Sequence, residues 1–290
     1  MKNITFLGPV GATFSHDAYN ILSEIYDAPK TDETNCVPAN SNSEILGLIR
    51  GHEGYGTIAM ETLAEGRVAE PLESFIELVS MYKRTEDCPF RIVGAIKMNL
   101  HFCLMTRGGV SESSIEKIVA HPKSLGACKG NIAKTTLPTI SVSSNGEAAR
   151  LVSEDEGYSM FAALGPKSAS EKYGLKIIDE SFEDKEAFTT FFLIAPKSHA
   201  VSVGKNNRVL IVYELAHEPG ALVQSLLPFA EEGLNLIQIH SVHVGNRIYN
   251  FAIEIEVAEE QLDAFERAVG RFESNVTSHL CFGPFEVLSR

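Results

Sequence analysis

The chain has 290 residues, 44% of them hydrophobic, and a formal net charge of −13. That length allows one large or two to three modest domains with real cores. The acidic balance shows no basic face of the kind nucleic-acid binding needs, and no run of about 18 apolar residues predicts a membrane span.

Ile4-Thr5-Phe6-Leu7 predicts a first strand, and the apolar part of this N-terminus is too short for a signal peptide. Residues 15–24 predict a helix with Ala18, Ile21 and Leu22 on one face. Ser41-Asn42-Ser43-Glu44 has capping-box spacing and opens a helix through Ile49. A strand over 55–60 and a helix over 68–78 follow. Residues 92–105 read as one long strand or two, crossing between lobes. Then come a strand at 118–120, a helix at 122–131, and a second capping box, Ser144-Asn145-Gly146-Glu147, opening a helix over 148–153. Residues 161–164 predict a strand, 168–173 a helix and 188–195 a strand returning to the first lobe. Such alternation argues α/β. Residues 197–206 are polar, Gly-containing and without period, so they read as a linker.

From Asn207 the pattern is strand, helix, two strands, helix, strand, over 208–215, 220–232, 236–244, 248–257, 259–272 and 279–287. This stretch carries five arginines, no lysine and twelve acidic residues, leaving −7. The five cysteines are scattered and form no C-x-x-C pair, so reduced thiols in a cytoplasmic protein are expected. The nine histidines include no helical H-x-x-x-H pair, and His240-x-x-His243 falls on a strand. Gly8-x-x-Gly11 lacks the dinucleotide-binding spacing. Neither a metal nor an organic cofactor is expected.

Glu218-Pro219-Gly220-Ala221-Leu222 stands at the first strand–helix junction of the C-terminal stretch, and Asn235-Leu236 opens its second strand. With the βαββαβ order, these residues resemble an ACT domain, a small amino-acid-sensing module. Five segments upstream follow the order of the prephenate dehydratase family, which commonly carries such a domain at its C-terminus. They are Phe6-Leu7-Gly8-Pro9-Val10-Gly11-Ala12-Thr13-Phe14-Ser15-His16, Ala59-Met60-Glu61-Thr62-Leu63-Ala64-Glu65-Gly66, Ala120-His121-Pro122-Lys123-Ser124-Leu125, Ser143-Ser144-Asn145-Gly146-Glu147-Ala148-Ala149 and Thr189-Thr190-Phe191-Phe192-Leu193-Ile194. Ala169-Ser170-Glu171-Lys172-Tyr173-Gly174-Leu175 is also familial.

The chain departs from the family pattern at named places. Ala12 is inserted into Gly-Pro-x-Gly-Thr-Phe-Ser. Only Glu61 and Gly66 match Pro-Ile-Glu-Asn-Ser-x-x-Gly. Ala120 and Lys123 replace the ends of Ser-His-Pro-Gln, and Ala187 and Thr190 replace the asparagine and arginine of Asn-x-Thr-Arg-Phe. In the sensing module His240-Ser241-Val242-His243 keeps only the serine of Glu-Ser-Arg-Pro.

The resemblance implies a two-lobed α/β domain like a periplasmic binding protein over 1–196, a linker, and a ferredoxin-like ACT domain over 207–290. It implies loss of carbon dioxide and hydroxide from prephenate, or a related dicarboxylate, to give phenylpyruvate. A positioned hydroxyl would donate a hydrogen bond to the departing oxygen. Thr189 is the choice for that role; otherwise it is an ordinary β-branched strand residue. Glu61 and Ser15 complete the candidate catalytic set, Glu61 being a general acid, a structural acceptor or a solvated residue. Thr13, Phe14, Thr62, His121, Lys123, Ser144, Asn145 and Phe191 are candidate substrate-binding residues. Thr13, Ser15 and Ser144 stand at helix starts, where N–H groups attract carboxylate and an N-cap is also expected. Pro219, Gly220, Ala221, Leu222, Asn235, Leu236, His240 and Ser241 are candidate effector contacts, for phenylalanine or another apolar amino acid. A homodimer or homotetramer is expected. Two rival readings stay open: a non-aromatising decarboxylase or other enzyme acting on a chorismate-derived acid, and a ligand-binding regulator without catalysis.

Overall fold

In the computed structural model, which describes residues 2–32, 34–52, 54–62, 66–201, 203–245 and 248–289, strands and helices alternate through the first two thirds of the chain. The branched and aromatic run Ile4–Leu7 forms β1. Helix α1 (Phe14–Ile25) is capped by Thr13 and buries Ala18, Tyr19 and Leu22 at helical spacing. Then come β2 (Cys36–Ala39), α2 (Asn42–His52), β3 (Tyr55–Thr62), β4 (Gly66–Arg67) and α3 (Ala69–Met81), whose buried stripe is Leu72, Phe75, Ile76 and Val79. Residues 63–65 of the second family motif lie outside the described residues.

The span 92–105 divides into two strands that belong to different sheets. Strand β5 (Phe90–Asn99) stays in the first lobe, and β6 (Cys103–Thr106) begins the second. The second lobe continues with β7 (Ile118–Ala120), α4 (Pro122–Ala127), α5 (Lys129–Thr135), β8 (Thr139–Ser141), α6 (Asn145–Glu154), β9 (Ala162–Gly165), α7 (Lys167–Tyr173) and β10 (Lys176–Asp179). The expected single helix over 122–131 is two short ones. They meet at Cys128, with φ −108° and ψ 12°, between two poor helix formers, Gly126 and Gly130. Strand β11 (Phe188–Pro196) returns to the first lobe. The two crossing segments are bonded to each other, Leu100 N donating to Ala187 O at 2.7 Å and Phe182 N to Phe102 O at 3.0 Å.

Each capping box forms by half. Ser41 and Ser144 accept from the N–H of Glu44 and Glu147, at 3.2 and 3.0 Å. Glu44 returns its carboxylate to Asn40 N, while Glu147 turns to Arg150.

After 197–205 the chain forms β12 (Asn206–Glu214), α8 (Ala221–Glu231), β13 (Asn235–Gly245), β14 (Ile248–Ala258), α9 (Leu262–Phe272) and β15 (Ser278–Ser289). The antiparallel order β13-β14-β12-β15 is ferredoxin-like. Alternation on β12 sends Val209, Ile211 and Tyr213 to the helices, against Phe229, Phe265 and Phe272. It sends Leu210 and Val212 the other way, into a core with α3 and with Met60, Phe192 and Phe282.

The four C-terminal strands are continuous with the first lobe's sheet. Residues Glu286–Ser289 of β15 pair in parallel with Gly94–Lys97 of β5. One sheet therefore runs β13-β14-β12-β15-β5-β11-β3-β1-β2, with β4 on β3. It coils around α3, so strands from both ends share one core. Phe75, Phe192, Phe282 and Phe285 are fully or nearly fully buried there. At about 2–3 kcal/mol each, they make this junction a core rather than a loose domain contact. The polar linker is also fastened: His199 bridges the Tyr55 hydroxyl at 3.1 Å and the Tyr26 carbonyl at 2.9 Å.

The second sheet has the order β10-β6-β9-β7-β8. No helix among the described residues is long and apolar enough to cross a membrane.

Candidate active site

The site is built on the β3–β11 pair. Thr189, 5% exposed, stands in register with Thr62 on one side and Met98 on the other. Along β11, Phe191 and Leu193 face the core under α1, while Phe192 and Ile194 face the core around α3. Thr189 falls on the α1 face and Thr190 on the α3 face. Strand β3 does not keep this alternation. Thr190 pairs with Glu61 but Phe191 pairs with Ala59, leaving Met60 as an extra residue. This bulge puts Met60 and Glu61 on the α3 face and returns Thr62 to the α1 face, beside Thr189.

Of the three readings of Glu61, the structure shows an acceptor. Its carboxylate points away from Thr189. Oε2 accepts from the Thr190 hydroxyl at 3.3 Å and from Arg208 Nη1 at 3.4 Å. Arg208 also holds Glu254 Oε1 at 3.3 Å, and the Glu254 side chain is 1% exposed. Position 190, an arginine in the resembled motif, supplies a hydroxyl here. The guanidinium beside Glu61 comes from β12 instead.

The loop before α1 turns at Gly8, whose φ of +82° suits glycine. Thr13 Oγ1 caps α1 by accepting from His16 N at 3.2 Å. The Ser15 hydroxyl is committed internally. It accepts from Leu7 N at 3.3 Å and lies 3.2 Å from Thr57 Oγ1, tying β1 to β3. Phe14 meets Phe102 of the crossing segment edge-on, ring centroids 5.2 Å apart. The inserted Ala12 is fully buried in the second lobe's core with Met105, Ala148 and Ala149. Gly146 makes room for this loop: a Cβ there would stand 2.3 Å from Pro9. The insertion seats the first lobe's loop on the second lobe.

Two titratable residues missed by the sequence reading lie at this contact. His16 Nδ1 accepts from Gly11 N at 2.9 Å, so Nε2 carries the proton. Nε2 is buried with no hydrogen-bond partner among the described residues. Burial, helped by Lys172, lowers the His16 pKa to about 4. Asp17 accepts from Ser168 of α7 at 2.8 Å, and burial foremost raises its pKa to about 6. Lys172 reaches across to the Val10 carbonyl. The signal for both residues was their place directly after the glycine loop.

On the second lobe, Ser144 caps α6, and Asn145 Oδ1 accepts from His121 N at 3.1 Å and Ser124 Oγ at 2.9 Å. His121 caps α4 by accepting from Lys123 N at 3.3 Å, and Lys123 itself is exposed. The starts of α1 and α6 meet: a Cβ on Gly8 would lie 3.8 Å from Ser144 Cβ. Thr13, Phe14, Thr62, Thr189 and Phe191 thus share one face of the first lobe, with Ser144 across the lobe boundary.

In the C-terminal domain a cavity of about 120 Å³ is lined by Leu215, Ala216, His217, Glu218, Ala221, Leu222, Tyr249 and Phe251. It includes Ala221 and Leu222 of the expected effector set. Pro219, Gly220, Asn235, Leu236, His240 and Ser241 are not among its lining. The last four lie on β13, whose open edge exposes Ile237 and Ile239. Alternation on β14 could have pointed to Tyr249 and Phe251. Among the described residues no three His, Cys, Asp or Glu side chains are grouped to hold a metal ion.

Comparison with known proteins adds the following. A family model described as prephenate dehydratase matches residues 4–199. A prephenate dehydratase of Methanocaldococcus jannaschii is 30% identical over 76% of this chain and 78% of its own. A prephenate dehydratase of Arthrobacter aurescens, solved in complex with L-Phe, superposes with a TM-score of 0.81 at 23% identity, covering 98% of this chain and 89% of its own. A protein described as GqqA, a novel type of quorum quenching acylase, superposes with a TM-score of 0.78 at 18% identity, covering 100% of this chain and 98% of its own. At these identities the two structures speak to the fold alone.

Proposed function

The chain belongs to the prephenate dehydratase family, and from that membership we propose that it converts prephenate to phenylpyruvate by coupled loss of carbon dioxide and hydroxide. The observation that carries the reading is the Thr62–Thr189 pair on the α1 face, the face whose core holds Phe191 and packs Phe14. Aromatisation drives the reaction, so the protein has to seat the ring, direct its carboxylates and assist the leaving hydroxide. The Thr189 hydroxyl donates to that oxygen as charge develops. Thr62 is the neighbouring donor. The starts of α1 and α6 supply positive dipole ends for the carboxylates. Glu61 is an anchor of β3 in this scheme rather than an acid.

Regulation by an apolar amino acid goes with the cavity at Ala221 and Leu222. A dimer or tetramer built through residues 207–290 goes with the open edge of β13 and the exposed Val223 and Leu227 of α8; light scattering of the intact chain tests it, and a monomer at micromolar concentration contradicts it. A cytoplasmic setting goes with five cysteines outside any disulfide.

The deciding experiment is incubation with prephenate, followed by mass and ultraviolet analysis. Phenylpyruvate, with its enol absorbance in alkali, is expected. A decarboxylated product that keeps the ring hydroxyl would replace this reading with non-aromatising decarboxylation. Binding without turnover would make the chain a regulator.

A further inference from the structure

The C-terminal domain reaches into the catalytic ribbon through one side chain. Arg208 sits at the start of β12, on the face that carries Leu210 and Val212 into the α3 core. Because the sheet coils, this face closes over the end of β3. There Arg208 Nη1 lies 3.4 Å from Glu61 Oε2 and 3.3 Å from Glu254 Oε1. Two carboxylates share one guanidinium whose side chain is 18% exposed. Thr190 Oγ1 adds a contact to Glu61 at 3.3 Å. The four groups come from β3, β11, β12 and β14.

The position of this cluster along the chain gives it a role. Glu61 is a bulge residue, and the bulge is what turns Thr62 to the α1 face. Thr190 is the next residue after Thr189. A guanidinium pulling on Glu61 therefore fixes the backbone on both strands, one residue from each hydroxyl of the candidate site. Without it, the Glu61 carboxylate keeps the Thr190 hydroxyl among its described partners, and an extra strand residue can be absorbed in more than one register.

We propose that Arg208 of the C-terminal domain is a positioning residue for the dehydratase reaction, holding the Met60–Glu61 bulge so that Thr62 and Thr189 face the substrate together. The proposal rests on the dehydratase reading above. It also gives the C-terminal domain a direct mechanical handle on the site, since any shift of β12 relative to β3 moves Glu61.

The test is steady-state turnover of prephenate by the intact chain and four variants. Loss of the charged contact in Arg208→Met is expected to lower kcat by about tenfold or more, on the scale of one hydrogen bond to a charged group. KM should stay within about threefold, because the groups that bind the carboxylates are untouched. Arg208→Lys keeps the charge and should recover part of kcat. Arg208→Met takes one cation from the buried Glu254, so Arg208→Met/Glu254→Gln is the paired variant that removes the cost of that loss. Thr190→Val keeps every charge, cuts the other contact to Glu61 and should lower kcat less than Arg208→Met. Folding is checked by near-ultraviolet circular dichroism. Parental kcat in either folded methionine variant overturns the proposal. So does a loss that lysine does not rescue and that tracks stability alone. If the parent chain itself makes no phenylpyruvate, the dehydratase reading fails instead.

Discussion

The two faces of the β3–β11 pair differ more than their sequences suggest. One carries Thr62, Thr189 and Phe191, all uncharged, toward α1. The other carries Glu61 and Thr190 toward Arg208 and Glu254. The difference suits the chemistry proposed. A carboxylate about 4 Å from a bound dianion would cost roughly 4 kcal/mol per charge pair at an effective dielectric constant of 20. It would also compete for the hydroxyl that must donate to the leaving oxygen. The bulge removes Glu61 from that face and sets it against the guanidinium that it shares with Glu254.

The sharpest way to break this comparison is to treat the adjacent threonines alike. Thr189→Ala is expected to lower kcat by about 10² or more with the fold intact, the scale of a lost positioned donor. Thr189→Ser should keep part of the activity, and Thr190→Val should stay within about tenfold of the parent. Equal losses at 189 and 190 would end the distinction between the faces.

A second test puts a charge back on the neutral face. Thr62→Asp is expected to raise KM for prephenate by about tenfold or more, because repulsion acts on the bound dianion. An unchanged KM, measured at low ionic strength, would mean that the substrate carboxylates lie elsewhere.

The third test concerns the lobe contact beside the neutral face. Asp17 has its folded pKa raised to about 6, so the stability it confers is lost as pH rises from about 4 to about 6. His16 has its folded pKa lowered to about 4, so its contribution is lost as pH falls from about 6.5 to about 4. The two slopes oppose each other. Asp17→Asn removes only the first. Urea unfolding should then show the variant gaining on the parent between pH 4.5 and pH 7, by about 1 kcal/mol after discounting for partial exposure. No change in the difference between the two pH values would rule out burial of the Asp17 charge.

The smallest effect is expected in the C-terminal domain, where the resembled effector segment reads His240-Ser241-Val242-His243. Calorimetry with phenylalanine, tyrosine and leucine should show weak binding, or a shifted preference among apolar amino acids. Tight phenylalanine binding would restore the ordinary family reading, and an Ala221→Phe variant that binds equally well would move the ligand out of the cavity.

Much of the architecture was legible because periodicity reports burial directly. Strands with apolar alternation, such as 208–215, and helices with a strong stripe, such as 259–272, fall within a few residues of β12 and α9. The edge strands β2, β8 and β10 were not legible because they are largely exposed and mix polar residues or proline into the run, whereas the equally short β1, β7 and β9 are buried apolar runs. The site was legible by motif but not by direction. Glu61 and Thr62 are adjacent letters, and only the bulge at Met60 decides which of them meets Thr189. Arg208 was hidden because its partners are 46 and 147 residues away. Its one signal was a lone cation at the head of the inward row Arg208, Leu210, Val212.

The parallel pairing of β15 with β5 has a consequence for how the molecule comes apart. A chain cut after Lys197 would strip β5 of the neighbour along Gly94–Lys97 and take Phe282 and Phe285 out of the core they share with Phe75 and Phe192. The piece left behind would have a raw sheet edge and an apolar wound beside it, the two features that make chains stick to one another. The C-terminal domain is thus not a cassette that can be unplugged from the rest of the chain. The first lobe and the C-terminal domain should melt together, in one calorimetric transition, as a single cooperative body.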